Sequence, residues 1–261
     1  MDDLIAIDGL GKSYGEFTAV DGLRLHVRAG ELFALLGPNG AGKTTVIRML
    51  MGVLKPSAGT ATIAGHDCFA DRIEVMRAVG YVPDEPVFHD YLTGRELIAF
   101  VSSMHGITQA DAGARSAELV ARLELRDALD EYAVNYSKGM KKKLALVLAL
   151  LHQPRLLILD EPTNGLDPYA TRELHQLMRE RTAAGTTVFF STHLLDQVEK
   201  LCDRVAILAR GRLVAEGSLD ELRSRVAADS TLEQIFFAVT GQPAGDQGAA
   251  APNAAGDGAP R

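Results

Sequence analysis

Eight consecutive residues, Gly37-Pro38-Asn39-Gly40-Ala41-Gly42-Lys43-Thr44, match the order G-x-x-x-x-G-K-[ST]. Small residues let successive backbone N–H groups curl around a phosphate. A helix starting behind them adds the partial positive charge of its N-terminus. Lys43 is a mobile cation for the β and γ phosphates of a nucleotide. The Thr44 hydroxyl suits a magnesium ion, which keeps several of its waters and takes few protein ligands directly. Thr45 opens the helical run 45–51 and completes the phosphate-binding set. A second cluster, Leu156-Leu157-Ile158-Leu159-Asp160-Glu161-Pro162, is an apolar strand pattern ending in two carboxylates. Adjacent strand residues face opposite ways, so the pair can divide its work. Asp160 is placed for the Mg²⁺ shell, and Glu161 can orient or deprotonate a water that attacks the γ-phosphorus. Alone, Asp-Glu-Pro reads equally as a helix cap and turn; downstream of a phosphate loop it reads as the hydrolytic end of a nucleotide site.

The elements that must hold these groups are legible as alternating patterns. The run Leu32 to Leu36 is a strand that stops at Gly37, and residues 60–63 and 79–82 read as further strands. Residues 93–104, 109–123 and 137–151 have helical spacing and form a mostly helical insertion. Strands at 156–159 and 188–190 then alternate with helices at 168–181 and 194–201, as parallel βα units do. Residues 205–208 and 212–215 flank a hairpin turn at Ala209-Arg210-Gly211, and a helix follows at 219–226. From Gly241 the chain is rich in Gly, Ala, Pro, Asp and Gln, so residues 241–261 read as a disordered tail. No internal repeat is visible, and the chain carries one nucleotide cassette.

Composition narrows the partners. The chain has 261 residues, 47% of them hydrophobic, enough for one large core with a smaller subdomain. Its formal net charge of -7 opposes nucleic-acid binding, which needs a basic face to displace counterions. Cys68 and Cys202 lie far apart without metal-ligand spacing and read as buried thiols in a reducing cytosol. Met1-Asp2-Asp3 lacks the basic and apolar regions of a secretory signal, and no apolar run approaches the ~20 residues of a spanning helix.

Further motifs tie these pieces to one family. Asn135-Tyr136-Ser137-Lys138-Gly139-Met140, before a helix, resembles the Leu-Ser-Gly-Gly-Gln signature of ABC ATPases. Ser137 is a natural N-cap, and its hydroxyl with the Gly139 N–H offers an anion site at a helix start. Lys138 and Met140 depart from the signature, and the lysines at 138 and 141 to 143 read in isolation as a solvated face. Tyr14 resembles the aromatic that stacks on adenine, although a partly buried tyrosine is the alternative. Asn164-Gly165-Leu166-Asp167-Pro168 resembles the loop whose Asp touches the partner subunit, and it is also a Pro-initiated, Asp-capped helix start. His193, after Phe189-Phe190-Ser191-Thr192, resembles the switch histidine at the γ-phosphate. Asp84 stands where most members have a Gln that links Mg²⁺ to the helical subdomain; the alternative is a turn residue before Pro86.

The resemblance spans residues 4–222 and implies an α/β fold: a P-loop NTPase core with a β-rich N-terminal edge and an inserted helical subdomain. The implied organisation is a cassette at 1–226, with its helical subdomain at about 84–151, then a short helix within 227–240. It implies an ATPase using ATP and Mg²⁺, with Thr44, Asp160 and Asp84 at the metal and Lys43, Glu161 and His193 in catalysis. The implied partners are a second nucleotide-binding subunit, expected to be identical, and a membrane-spanning subunit. The chain would then sit peripherally on the cytoplasmic face of the membrane. The exposed patch at Val87, Phe88, Tyr91 and Leu92 could take a helix of that subunit or simply pack the subdomain. The Asp84 variant, Tyr-Ser-Lys-Gly-Met and Leu232-Glu233-Gln234-Ile235-Phe236 together look most like ATP-binding subunits of bacterial drug, antibiotic or polymer exporters. An importer ATPase, or an ABC ATPase acting on DNA or ribosomes, is the alternative.

Overall fold

The computed structural model describes residues 3–226 and 230–241, so the tail expected at 241–261 lies outside the described residues except for Gly241. The chain opens with β1 (Asp3–Tyr14) and β2 (Phe17–Arg28), β3 (Leu32–Leu36), α1 (Lys43–Leu50), β4 (Ala58–Ile63) and β5 (His66–Asp67). Next come α2 (Arg72–Ala78), β6 (Val79–Val82), α3 (Gly94–Met104), α4 (Gln109–Arg122) and α5 (Lys138–Leu150). It returns through β7 (Leu156–Asp160), α6 (Pro168–Ala183), β8 (Thr187–Thr192) and α7 (Leu195–Leu201). The last elements are β9 (Arg204–Ala209), β10 (Arg212–Ser218), α8 (Leu219–Val226) and α9 (Leu232–Thr240).

Six strands form the central sheet in the order β10-β9-β3-β8-β7-β6, parallel from β9 to β6 with β10 antiparallel at one edge. A second, antiparallel sheet has the order β2-β1-β4-β5. The period of two divides the core cleanly. Leu32, Ala34 and Leu36 of β3, with Leu157 and Leu159 of β7, face the helices α3 to α7 and α9. Phe33, Leu35, Leu156 and Ile158 face the other way, onto α1 and the antiparallel sheet. Every residue of β3, β7 and β8 is buried, which is why these strands read as unbroken apolar runs rather than alternations.

Two stretches go beyond the sequence reading. The β-rich N-terminal edge, given no strand bounds from sequence, holds two twelve-residue strands. Gly9 and Gly22, each with φ near 60°, sit at register shifts of that hairpin and break the alternation without ending the ladder. Helix α2 was not expected, because Val75 is its only buried side chain and leaves no apolar stripe to read. The helices α3 to α6 were expected and are capped as their sequences dictate. Thr93 and Glu96 form a reciprocal capping box on α3, while Thr108, Ser137 and Asp167 cap α4, α5 and α6.

Within the layer that faces α1 and the antiparallel sheet, the Phe33 and Phe189 rings of neighbouring strands β3 and β8 stack with centroids 5.8 Å apart. Both rings are fully buried. Phe189→Ala should therefore cost about 3–5 kcal/mol, lowering the melting temperature by roughly 10 °C in a thermal denaturation series. A shift of only one or two degrees would show that this stack contributes little to the layer.

Candidate functional site

The carboxyl ends of three neighbouring strands, β3, β8 and β7, converge where a ligand crevice of an open parallel sheet belongs. After β3 the chain turns through residues 37–42 into α1. Gly37 has no room for a side chain: a Cβ there would lie 2.4 Å from the Leu208 carbonyl oxygen. Gly42 is equally constrained, with φ of 106° and a Cβ position 2.6 Å from the Ala19 carbonyl oxygen. Helix α1 starts at Lys43 with no side chain capping its first N–H groups, leaving those donors for a ligand.

These residues line a cleft of about 540 Å³ with Asn39, Gly40, Ala41, Gly42, Lys43, Thr44 and Thr45 on one wall. Asp84, Glu161, Asn164 and His193 lie on the other, with Phe17 and Ala19 also lining it. Tyr14 is not among the lining residues; it pairs across the β1–β2 turn with Phe17, and both are half exposed or more. Gly37 and Pro38 act through their carbonyls, which accept from Lys43 Nζ at 2.7 and 3.2 Å. Ser137 and Gly139 are outside this cleft. Ser137 caps α5 by accepting from the Met140 N–H at 3.2 Å. At Gly139 a Cβ would sit 2.9 Å from the Gly165 carbonyl oxygen, so glycine is required there by close packing of two turns within the chain.

Glu161 is the centre of the polar wall. Its Oε1 lies 3.1 Å from Lys43 Nζ, off the hydrogen-bond line, and its Oε2 lies 2.9 Å from His193 Nδ1. The expected alternation with Asp160 is corrected here. Glu161 has left the strand and has φ of 44°, so a left-handed turn, and not the pleat, aims its carboxylate. That conformation costs a non-glycine residue on the order of 1–3 kcal/mol and persists only where the surroundings over-determine it.

The surroundings do so through three contacts that the sequence did not disclose. Ser191, opposite Asp160 in the β7–β8 ladder, donates its hydroxyl to Asp160 Oδ1 at 2.5 Å and accepts the Glu161 N–H at 3.1 Å. The Glu161 carbonyl accepts from the Asn164 N–H at 3.2 Å and from Lys142 Nζ at 2.7 Å. Lys142 also lies 3.3 Å from Asp84 Oδ1, which accepts from Asn164 Nδ2 at 3.2 Å. The lysine run read as solvated is thus corrected at this position: Lys142 is 2% exposed. Asp84 therefore has a cationic partner within the chain, the Lys142 ammonium.

Burial pushes the Asp160 carboxyl above its ordinary range, against hydrogen bonds from Ser191 and Thr44 that favour the charged form. Thr44, on the cleft wall, and Asp160, buried behind it and hydrogen-bonded to it, bring together two hard oxygen donors, a set that fits Mg²⁺. Burial pulls Lys142 down and the Asp84 carboxylate opposes it. Burial pushes the Cys68 thiol up to about 12, removing it as a nucleophile.

A second cleft of about 540 Å³ lies beside α2, α3 and α5. It is largely apolar, and Ile73, Met76, Val87 and Met104 line it with more than half of their surface exposed. Phe88 and Leu92 pack partly into the helical core, whereas Val87 and Tyr91 stand 88% and 82% exposed, so the 87–92 segment contributes to both packing and surface.

Comparison with known proteins places this geometry. The family model described as ABC transporter matches residues 20–164. The daunorubicin/doxorubicin resistance ATP-binding protein DrrA of Streptomyces peucetius is 40% identical over 225 residues, covering 86% of this chain and 68% of that protein. The bacitracin transport ATP-binding protein BcrA of Bacillus licheniformis is 39% identical over 229 residues, covering 86% and 73%. Among solved structures, an ATP-binding subunit of an ABC transporter superposes with a TM-score of 0.86 at 33% identity, covering 91% of this chain and 99% of that one.

Because one Ser191 hydroxyl serves both Asp160 and the Glu161 N–H, its loss should disturb the whole strand end. Ser191→Ala should lower steady-state ATP turnover at least tenfold and cost about 1–3 kcal/mol of stability, read by melting. Parental turnover in a correctly folded variant would show that the hydroxyl orders nothing of consequence.

Proposed function

The chain belongs to the ABC transporter family as an ATP-hydrolysing subunit, and from that premise we propose that it drives export of an antibiotic or drug-like compound. The observation that carries the hydrolytic part is Glu161, held between Lys43 and His193 at the mouth of the phosphate loop. In this reading residues 37–45 take the ATP phosphates, with Lys43 at the β and γ groups. The hairpin end carrying Tyr14 and Phe17 offers an aromatic surface to adenine. Thr44 and Asp160 hold Mg²⁺, with Asp84 nearby on the opposite wall; the ion neutralises phosphate charge. Glu161 orients or deprotonates the attacking water, and His193 fixes the Glu161 carboxylate while reaching toward the γ-phosphate.

Ser137 and Gly139 stand outside the chain's own phosphate cleft, and in this reading they serve the cleft of a second copy packed head to tail. The helix start at α5 then closes over that copy's γ-phosphate. We divide the chain into a cassette at 1–226, a helical subdomain at about 84–151 and a C-terminal helix. Among the described residues no helix is long and apolar enough to cross a membrane, so movement of the cargo falls to a separate membrane-spanning subunit. The apolar cleft beside Val87 and Met104 is a suitable seat for a helix of that subunit on the cytoplasmic face. Export is favoured by the relatives named for daunorubicin/doxorubicin resistance and bacitracin transport.

Light scattering on the full chain carrying Glu161→Gln tests the composite site. ATP with Mg²⁺ should double the molar mass, ADP should leave it single, and adding Ser137→Arg should abolish the doubling. A mass that ignores ATP, or a doubling that survives Ser137→Arg, would contradict the head-to-tail arrangement.

A further inference from the structure

Four groups close a hydrogen-bonded ring behind the cleft. The Glu161 carbonyl accepts from Lys142 Nζ at 2.7 Å and from the Asn164 N–H at 3.2 Å. Asp84 Oδ1 accepts from the same ammonium at 3.3 Å and from Asn164 Nδ2 at 3.2 Å. The ring joins the loop that leads into the helical layer, the helix behind Ser137, and the turn that aims Glu161. One turn earlier on the same face of α5, Lys138 pairs with Glu85 at 3.0 Å. That outer pair is exposed and contributes little by itself, but it sets Asp84 and Glu85 against positions i+4 and i of one helix.

We propose that Lys142 is a positioning residue for hydrolysis, with two separable effects. Through the Glu161 carbonyl it holds the left-handed turn, keeping the carboxylate between Lys43 and His193. Through Asp84, which lines the cleft, it cancels a negative charge that would otherwise face the phosphates. Lys142 touches neither nucleotide nor reacting atoms; it acts through its two neighbours.

The proposal rests on Glu161 as the hydrolytic carboxylate, and its two effects are told apart by a set of full-length variants. Lys142→Met keeps length and apolar packing while removing the ammonium. Titration with a fluorescent ATP analogue in Mg²⁺ should give roughly tenfold weaker binding, and kcat should fall about tenfold to a hundredfold, the scale of a small misplacement. Asp84→Asn combined with Lys142→Met should restore the analogue's affinity to within about threefold of the parent while kcat stays low. Lys142→Arg, which keeps the charge and both donors, should retain kcat within a few-fold. Parental kcat in Lys142→Met would overturn the proposal. So would recovery of kcat together with affinity in the double variant, which would leave charge balance alone. Loss of affinity, kcat and melting temperature in constant proportion across all three variants would reduce Lys142 to a structural residue. Glu161→Gln assayed alongside separates the two readings: if it turns over ATP normally the carboxylate assignment fails, while the affinity changes still report on the ring.

Discussion

A carboxylate taken out of water must be paired, and at the end of β7 two adjacent carboxylates are buried together. Each has its own partners. Asp160 is held by the hydroxyls of Thr44 and Ser191, Glu161 by Lys43 and His193. The partners come from the first turn of α1, reached by the loop after β3, and from the end of β8 and the residue after it; β8 lies next to β7 and β3 next but one. The parallel order β3-β8-β7 is thus what makes the pairing geometrically possible. Unpairing either acid would leave a buried charge, so sheet order, loop conformation and catalytic geometry constrain one another.

The sheet itself is held by two apolar layers that share no residues, one against the helices and one against α1 and the antiparallel sheet. The phosphate loop emerges on one side of this division and the Glu161 turn connects toward the other. Lys142 crosses between them: it stands on a helix of the first layer, but its ammonium ends at the Glu161 carbonyl. It is a buried polar attachment of the helical layer to the site.

The parts of the site written in consecutive residues are legible in the sequence alone. The loop 37–44 and the Asp160-Glu161 pair declare themselves because backbone conformation and strand ending are local properties. Groups recruited across the fold do not. Ser191 sits in an apolar run whose hydroxyl looks incidental until β8 lies beside β7. Lys142 sits in a run of three lysines that reads as a solvated face, and only the helix phase against Asp84 separates it from its neighbours. Asp160 and Glu161 do have different partners, but through a left-handed residue straight after the strand and not through the pleat. The N-terminal hairpin is under-read for a related reason, because bulges at Gly9 and Gly22 interrupt the pattern but not the pairing.

The central claim is that the Glu161 carboxylate, fixed at this strand end, carries hydrolysis without being needed to hold the nucleotide. It is tested most directly by measuring single-turnover ATP hydrolysis and Mg-ATP affinity on the same preparation of the full chain with Glu161→Gln. Affinity within about threefold of the parent, with hydrolysis slowed by roughly 10²–10⁴, is the predicted result. Hydrolysis at the parental rate would contradict it.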